Sequence, residues 1–104
     1  MKLAIDFDGV IINRQGFPRH EDILKDPPVE GALDAIKWLK KQSHEIYICT
    51  ARDPWEWPTV ASWLKHYKFP WLRITNIKEN GTTIFLDDRA VRFTNWLDFT
   101  KLIG

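Results

Sequence analysis

The apolar positions fall in short runs separated by polar stretches, and the runs switch between two periods. Leu3-Ala4-Ile5 is a compact apolar run that breaks into Asp6-Phe7-Asp8-Gly9-Val10, the pattern of a buried strand feeding a loop. Residues 11–28 are mixed and carry Gly16, Pro18, Pro27 and Pro28, which predicts a loop with room for a small turn or hairpin. From Val29 to about Ser43 the spacing changes. Val29, Ala32, Leu33, Ile36 and Leu39 recur at helical intervals, with Lys37, Lys40 and Lys41 mostly on the other face. Pro28 sits near the start of this helix, where its missing N–H is not needed. Glu45 to Thr50 is short and rich in strand formers. A second helix is predicted to start near Pro58, with Val60, Ala61, Trp63, Leu64 and Tyr67 inward. Trp71 to Thr75 reads as a third strand, and Thr83 to Leu86 as a fourth that ends in Asp87-Asp88. Beyond Asn95, the positions of Trp96, Leu97, Phe99, Leu102 and Ile103 suit a short closing helix.

Strands alternating with helices predict an α/β domain with parallel pairing and right-handed crossovers. In such sheets, ligands sit beyond the carboxyl ends of the strands. The 104 residues suit a single domain, residues 1–104, and no repeat or linker divides them. A net charge of +1 argues against a general binder of nucleic acid or membrane surfaces. No apolar stretch approaches the ~20 residues that cross a bilayer. The N-terminus reaches carboxylates too early for a signal peptide. The single cysteine, Cys49, excludes an internal disulfide and lies in an apolar run, as a structural thiol would. The expectation is a reduced, cytoplasmic, soluble protein with no membrane partner.

Three of the four predicted strands end in groups suited to chemistry: Asp6 with Asp8, Thr50, and Asp87 with Asp88. Carboxylates gathered at one sheet edge repel each other unless protons or a cation intervene. All-oxygen donors favour a hard ion, Mg²⁺ being the abundant one, and Mg²⁺ leaves positions for a substrate phosphate. Thr50 offers a hydroxyl and a backbone N–H to such an anion, and Lys78 a compact positive charge. A carboxylate nucleophile, a second carboxyl as acid and base, a divalent ion and a lysine compose a phosphoryl-transfer site. Asp6 and Asp8 share it only if the chain turns after Asp6, because alternate residues of a strand face opposite ways. Gly9 permits that exit.

Asp6-Phe7-Asp8-Gly9-Val10 after an apolar strand resembles the first motif of the haloacid dehalogenase superfamily of phosphatases. Thr50 after Ile46–Cys49 resembles its second motif, Lys78 its third, and Asp87-Asp88 after Ile84-Phe85-Leu86 its fourth. The resemblance implies a three-layer α/β/α, Rossmann-like domain with a short, mainly parallel sheet. It implies that Asp6 is the nucleophile and forms an aspartyl-phosphate, and that Asp8 serves as acid and then base. Mg²⁺ would be held by the Asp6 carboxylate, the Asp8 backbone carbonyl and Asp87. Thr50 and Lys78 would bind the phosphoryl group, with Asp88 assisting the metal or holding Lys78. The segments between the motifs are already filled by predicted helices and strands, so the chain resembles the members without a cap domain.

An uncapped site admits a phosphate on a large molecule such as a nucleic-acid end. A small substrate needs a wall from the loop at 11–28 or from a neighbouring subunit of a homo-oligomer. Trp55 and Trp57 are candidates for that wall or for stacking on a base, against the ordinary role of aromatic packing. Arg52 touches substrate or pairs with an acid. Arg73 is the rival of Lys78. His20, His44 and His66 have no metal-ligand spacing. Two other readings stand beside the phosphatase: a non-catalytic binding module on the same fold, and a metal-dependent nuclease-like acidic site.

Overall fold

The computed structural model of the chain describes residues 1–14 and 23–104. His20 and the middle of the loop expected over 11–28 lie outside the described residues. The strands are β1 (Lys2–Ile5), β2 (Glu45–Cys49), β3 (Ile74–Thr75) and β4 (Ile84–Leu86), and the helices are α1 (Ala32–Lys41), α2 (Trp57–His66) and α3 (Trp96–Ile103). All strands run parallel in one sheet, in the order β3-β2-β1-β4. The expected α/β architecture is present, with β3 reduced to two residues and α1 starting three residues later than its apolar spacing predicts. The late start has a local cause. Val29 donates its N–H to the Ile11 carbonyl, and Gly31 takes φ +84° before the helix opens.

The core lies on one face of the sheet. Leu3 pairs with Ile46 and Ile5 with Ile48, so alternation points these side chains the same way. Ile36 of α1 and Val60, Trp63 and Leu64 of α2 pack on them, with Phe7, Ile11, Ile12 and Ile23 closing one end. Trp63 is the hub, meeting Phe7 edge-on at 5.3 Å and Phe69 at 5.5 Å between ring centres. Its indole N–H donates to the Asp26 carbonyl. Ala61, expected inward, is exposed, because the α2 stripe follows Val60, Trp63 and Leu64.

Tyr47 and Ala4 point to the other face, where the segment 76–83 crosses the sheet in place of a helix. The crossing is pinned by Tyr47, whose hydroxyl meets Thr82 Oγ1 at 2.8 Å and accepts from the Glu79 N–H. Thr83 then donates to the Lys2 carbonyl and leads into β4. β4 is covered on neither face: Ile84, Phe85 and Leu86 are all exposed. α3 buries none of its residues, so the expected closing helix forms but closes nothing within the described structure.

Candidate functional site

The turn after β1 organises the site. The Phe7 carbonyl accepts from the N–H groups of Val10, Ile11 and Ile12, which wraps residues 7–12 into a knot. Gly9 sits at φ +82°, and a Cβ there would collide with the Asp88 carboxylate. Glycine is favoured at this position by its left-handed conformation, and a larger residue would displace the Asp88 carboxylate. This turn takes the chain out of β1 between Asp6 and Asp8.

Strand pairing brings the acids together. Ile5 registers with Leu86, so Asp6 and Asp87 follow side by side, and the Asp6 N–H donates to the Leu86 carbonyl at 2.9 Å. Oxygen atoms of Asp6, Asp87 and Asp88 lie within 4.8 Å of one another. Burial pushes the Asp6 carboxyl up to about 6, against a hydrogen bond from the Phe7 N–H, and the charges of Asp87, Asp88 and Asp8 add to the rise. Three all-oxygen donors short of positive charge fit a hard divalent cation such as Mg²⁺.

Asp8 has a different partner. Arg52 Nη2 donates to Asp8 Oδ1 and Nε to Oδ2, both at 2.8 Å, a side-on bidentate pair. Arg52 is 3% exposed. Its Nη1 reaches Glu56 Oε1 at 3.3 Å, its guanidinium lies over the Phe7 ring, and its carbonyl accepts from the Trp57 indole. Glu56 in turn accepts from the Asp53 N–H and is itself buried. Of the alternatives for Arg52, the structure shows pairing with acids. The Asp8 carboxylate stands outside the cluster of Asp6, Asp87 and Asp88. The metal role expected for Asp8 rests on its backbone carbonyl, which the pairing with Arg52 leaves untouched.

Thr50 is buried at the end of β2. Its backbone N–H is taken by the Thr75 carbonyl, so this N–H is not offered to an anion as the sequence suggested. The hydroxyl accepts from the Arg52 N–H and keeps its own proton to donate. Lys78 rides on the crossing segment with its ammonium 5.5 Å from the centre of the Phe85 ring. Burial raises the Cys49 thiol, Asp6 adding to the effect and Lys78 opposing it, which puts both charges in that thiol's surroundings. Arg73 is held by Glu45, at the opposite end of β2 from Thr50, and by Glu79, and it covers the Tyr47 ring. Of the two cations, Arg73 is held by carboxylates of Glu45 and Glu79, while Lys78 lies over the Phe85 ring. Cys49 is half-buried and donates to the Ile77 carbonyl at 3.7 Å.

Glu56 was not among the expected site residues. The signal was present: Arg52 and Glu56 are four apart, and Asp53-Pro54-Trp55-Glu56 has the spacing of a helix-start capping pattern. Trp55 is 67% exposed, and Trp57 is half-buried with its N–H engaged. No helix among the described residues is long and apolar enough to cross a membrane. Neither protein-family models nor curated proteins match the chain.

Proposed function

We propose that the chain is a Mg²⁺-dependent phosphomonoester hydrolase of the haloacid dehalogenase type, acting through Asp6. The observation that carries this reading is the meeting of Asp6, Asp87 and Asp88 at the carboxyl ends of β1 and β4, beside Thr50 and the fixed carboxylate of Asp8. A lone acidic cluster would serve any cation. A cluster with a second positioned carboxylate, a buried hydroxyl and a lysine serves phosphoryl transfer.

The Asp6, Asp87 and Asp88 carboxylates and the Asp8 carbonyl are the groups that would hold the ion. When bound, Mg²⁺ supplies positive charge that offsets the carboxylates and the oxygens of the transferring group. An oxygen of Asp6 attacks phosphorus, the ester P–O bond breaks, and Asp8 gives a proton to the departing oxygen. In the second half Asp8 takes a proton from water, the water oxygen bonds phosphorus, and the bond to Asp6 breaks to release phosphate. Both Asp8 oxygens accept from Arg52, so protonated Asp8 gives up one of those bonds. Arg52 thereby fixes where the proton is delivered. The Thr50 hydroxyl and the Lys78 ammonium orient and neutralise the phosphoryl oxygens. Phosphomonoesters are among the slowest uncatalysed hydrolyses, which matches a site with a covalent step and several charges.

The proposed domain is the three-layer α/β/α form, with α3 the helix available for a further layer, in a reducing cytoplasm that leaves Cys49 a free thiol. The substrate class is a nucleotide or a nucleic-acid end, on the strength of an uncapped site and an exposed Trp55. The test is hydrolysis of an aryl phosphate and of a panel of nucleotides and 3′-phosphorylated oligonucleotides, with and without Mg²⁺, joined to trapping of a beryllium fluoride adduct on Asp6. Metal-dependent release of phosphate with trapping supports the reading. Metal binding without turnover on any phosphomonoester points to a binding module. Cleavage of phosphodiesters without an adduct on Asp6 points to a nuclease.

A further inference from the structure

Beyond Asp88, which still lies against Gly9, the described residues show no hydrogen bond from the chain back to its own body. The Arg89 N–H bonds Asp87 Oδ1, Thr94 and Asn95 bond Asp98, and the remaining hydrogen bonds are internal to α3 and its ends. Yet this arm is apolar. Phe93, Trp96 and Phe99 stack edge to face at 5.7 and 6.0 Å, a preformed aromatic plate. Val91, Phe93, Trp96, Phe99 and Leu102 line a groove of about 390 Å³. Trp96 is 71% exposed, and Leu97, Leu102 and Ile103 are exposed too. The radius of gyration is 14.8 Å, against ~13 Å for a compact chain of this length.

The body has a matching deficiency: β4 presents Ile84 and Leu86 on the face of α1 and Phe85 on the other, all uncovered. A chain that projects an amphipathic helix and also leaves a strand bare has the anatomy of an exchanged dimer. We infer that the α3 arm of one copy packs over β4 of a second copy, and the reverse, in a closed two-fold dimer. Extended, the seven residues 89–95 span up to ~25 Å, the reach available toward a neighbouring body. Six apolar side chains of the arm, Val91, Phe93, Trp96, Leu97, Leu102 and Ile103, are each 58–71% exposed. A monomer seldom leaves more than ~300–600 Å² in one apolar patch. In the dimer two arms and two β4 strands contribute to one interface, where stable association takes ~1,200–2,000 Å².

The test is sedimentation of the full chain with three variants. The wild-type chain is expected as a dimer of the 12.3 kDa protomer. Trp96→Asp on the arm and Ile84→Asp on the strand should each weaken association roughly tenfold or more. Where β4 does not tolerate the charge, Ile84→Ser replaces Ile84→Asp, on the same face of the strand. Mixing the arm variant with the strand variant should restore dimer in part, because one of the two contacts then joins an intact arm to an intact strand while the other carries both substitutions. A wild-type chain that stays monomeric overturns the inference, whether its arm folds onto its own body or awaits another protein. A dimer indifferent to both substitutions, or a mixture no more dimeric than its parts, overturns it as well. None of these readouts depends on phosphatase activity.

Discussion

Three residues carry the sharpest consequences, and each acts through a named contact. Asp6→Asn keeps the volume and removes the carboxylate proposed as the nucleophile. Turnover of an aryl phosphate should fall by roughly 10⁴-fold or more, the scale of losing a covalent nucleophile, with an unchanged circular dichroism spectrum. Arg52 is buried between Asp8 and Glu56. Arg52→Ala strands Glu56 without a counter-charge, which costs ~3–5 kcal/mol when a buried pair is broken from one side. Chemical denaturation should show that loss, and Arg52→Lys should recover only part of it, since an ammonium cannot replace the fork on Asp8. Gly9→Ala forces a left-handed residue, at ~1–2 kcal/mol, and pushes Asp88 off its position. Mg²⁺ affinity by calorimetry should fall in Gly9→Ala while that of Thr50→Val stays near the parent value.

At the scale of elements, the sheet register does the positioning. β1 and β4 pair so that the acids that follow them meet, and the 76–83 crossing carries Lys78 over the second face. α3 is the element least secured. It has eight residues, buries none, and isolated helices of that length are marginal in water. Its start depends on Asn95, whose side-chain oxygen accepts from the Asp98 N–H at 2.9 Å. Asn95→Ala should cost α3 ~1 kcal/mol and lower the helical signal in the far ultraviolet. At protein concentrations too low for copies to associate, the melting of the β-sheet core should be little changed in the same variant, because α3 lies outside that core.

For the whole molecule, the acidic cluster links pH, metal and stability. Asp6 is raised from 3.8 to about 6 in the folded chain, so between those values the folded state holds more proton than the unfolded one. Without metal, this site destabilises the fold progressively as pH rises from about 4 to 6, and the penalty is complete above 6. A bound cation offsets the same repulsion. Mg²⁺ should therefore raise the melting temperature more at pH 7.5 than at pH 5. At ~100 times its dissociation constant the ion adds ~2.7 kcal/mol. Chelation should reverse the shift, and Asp6→Asn should flatten the pH dependence of the metal-free chain.

The order of strands and helices, the parallel pairing and the residues that gather at the sheet edge were legible in the chain, because they follow from local period and from where apolar runs end. Asp6, Thr50 and Asp87 each close such a run, and topology alone brings strand ends together. The partner of Asp8 was not legible. Arg52 lies far along the chain from Asp8, and only packing on Phe7 and the i,i+4 contact with Glu56 aim its guanidinium. Nor did the pattern reveal that Thr50 spends its N–H on β3, that the Asp8 side chain turns to Arg52 and away from the other acids, or that α3 leaves its own sheet. A hydrophobic stripe states that a helix must bury one face, but which surface receives it is a property of the folded body and of its neighbours.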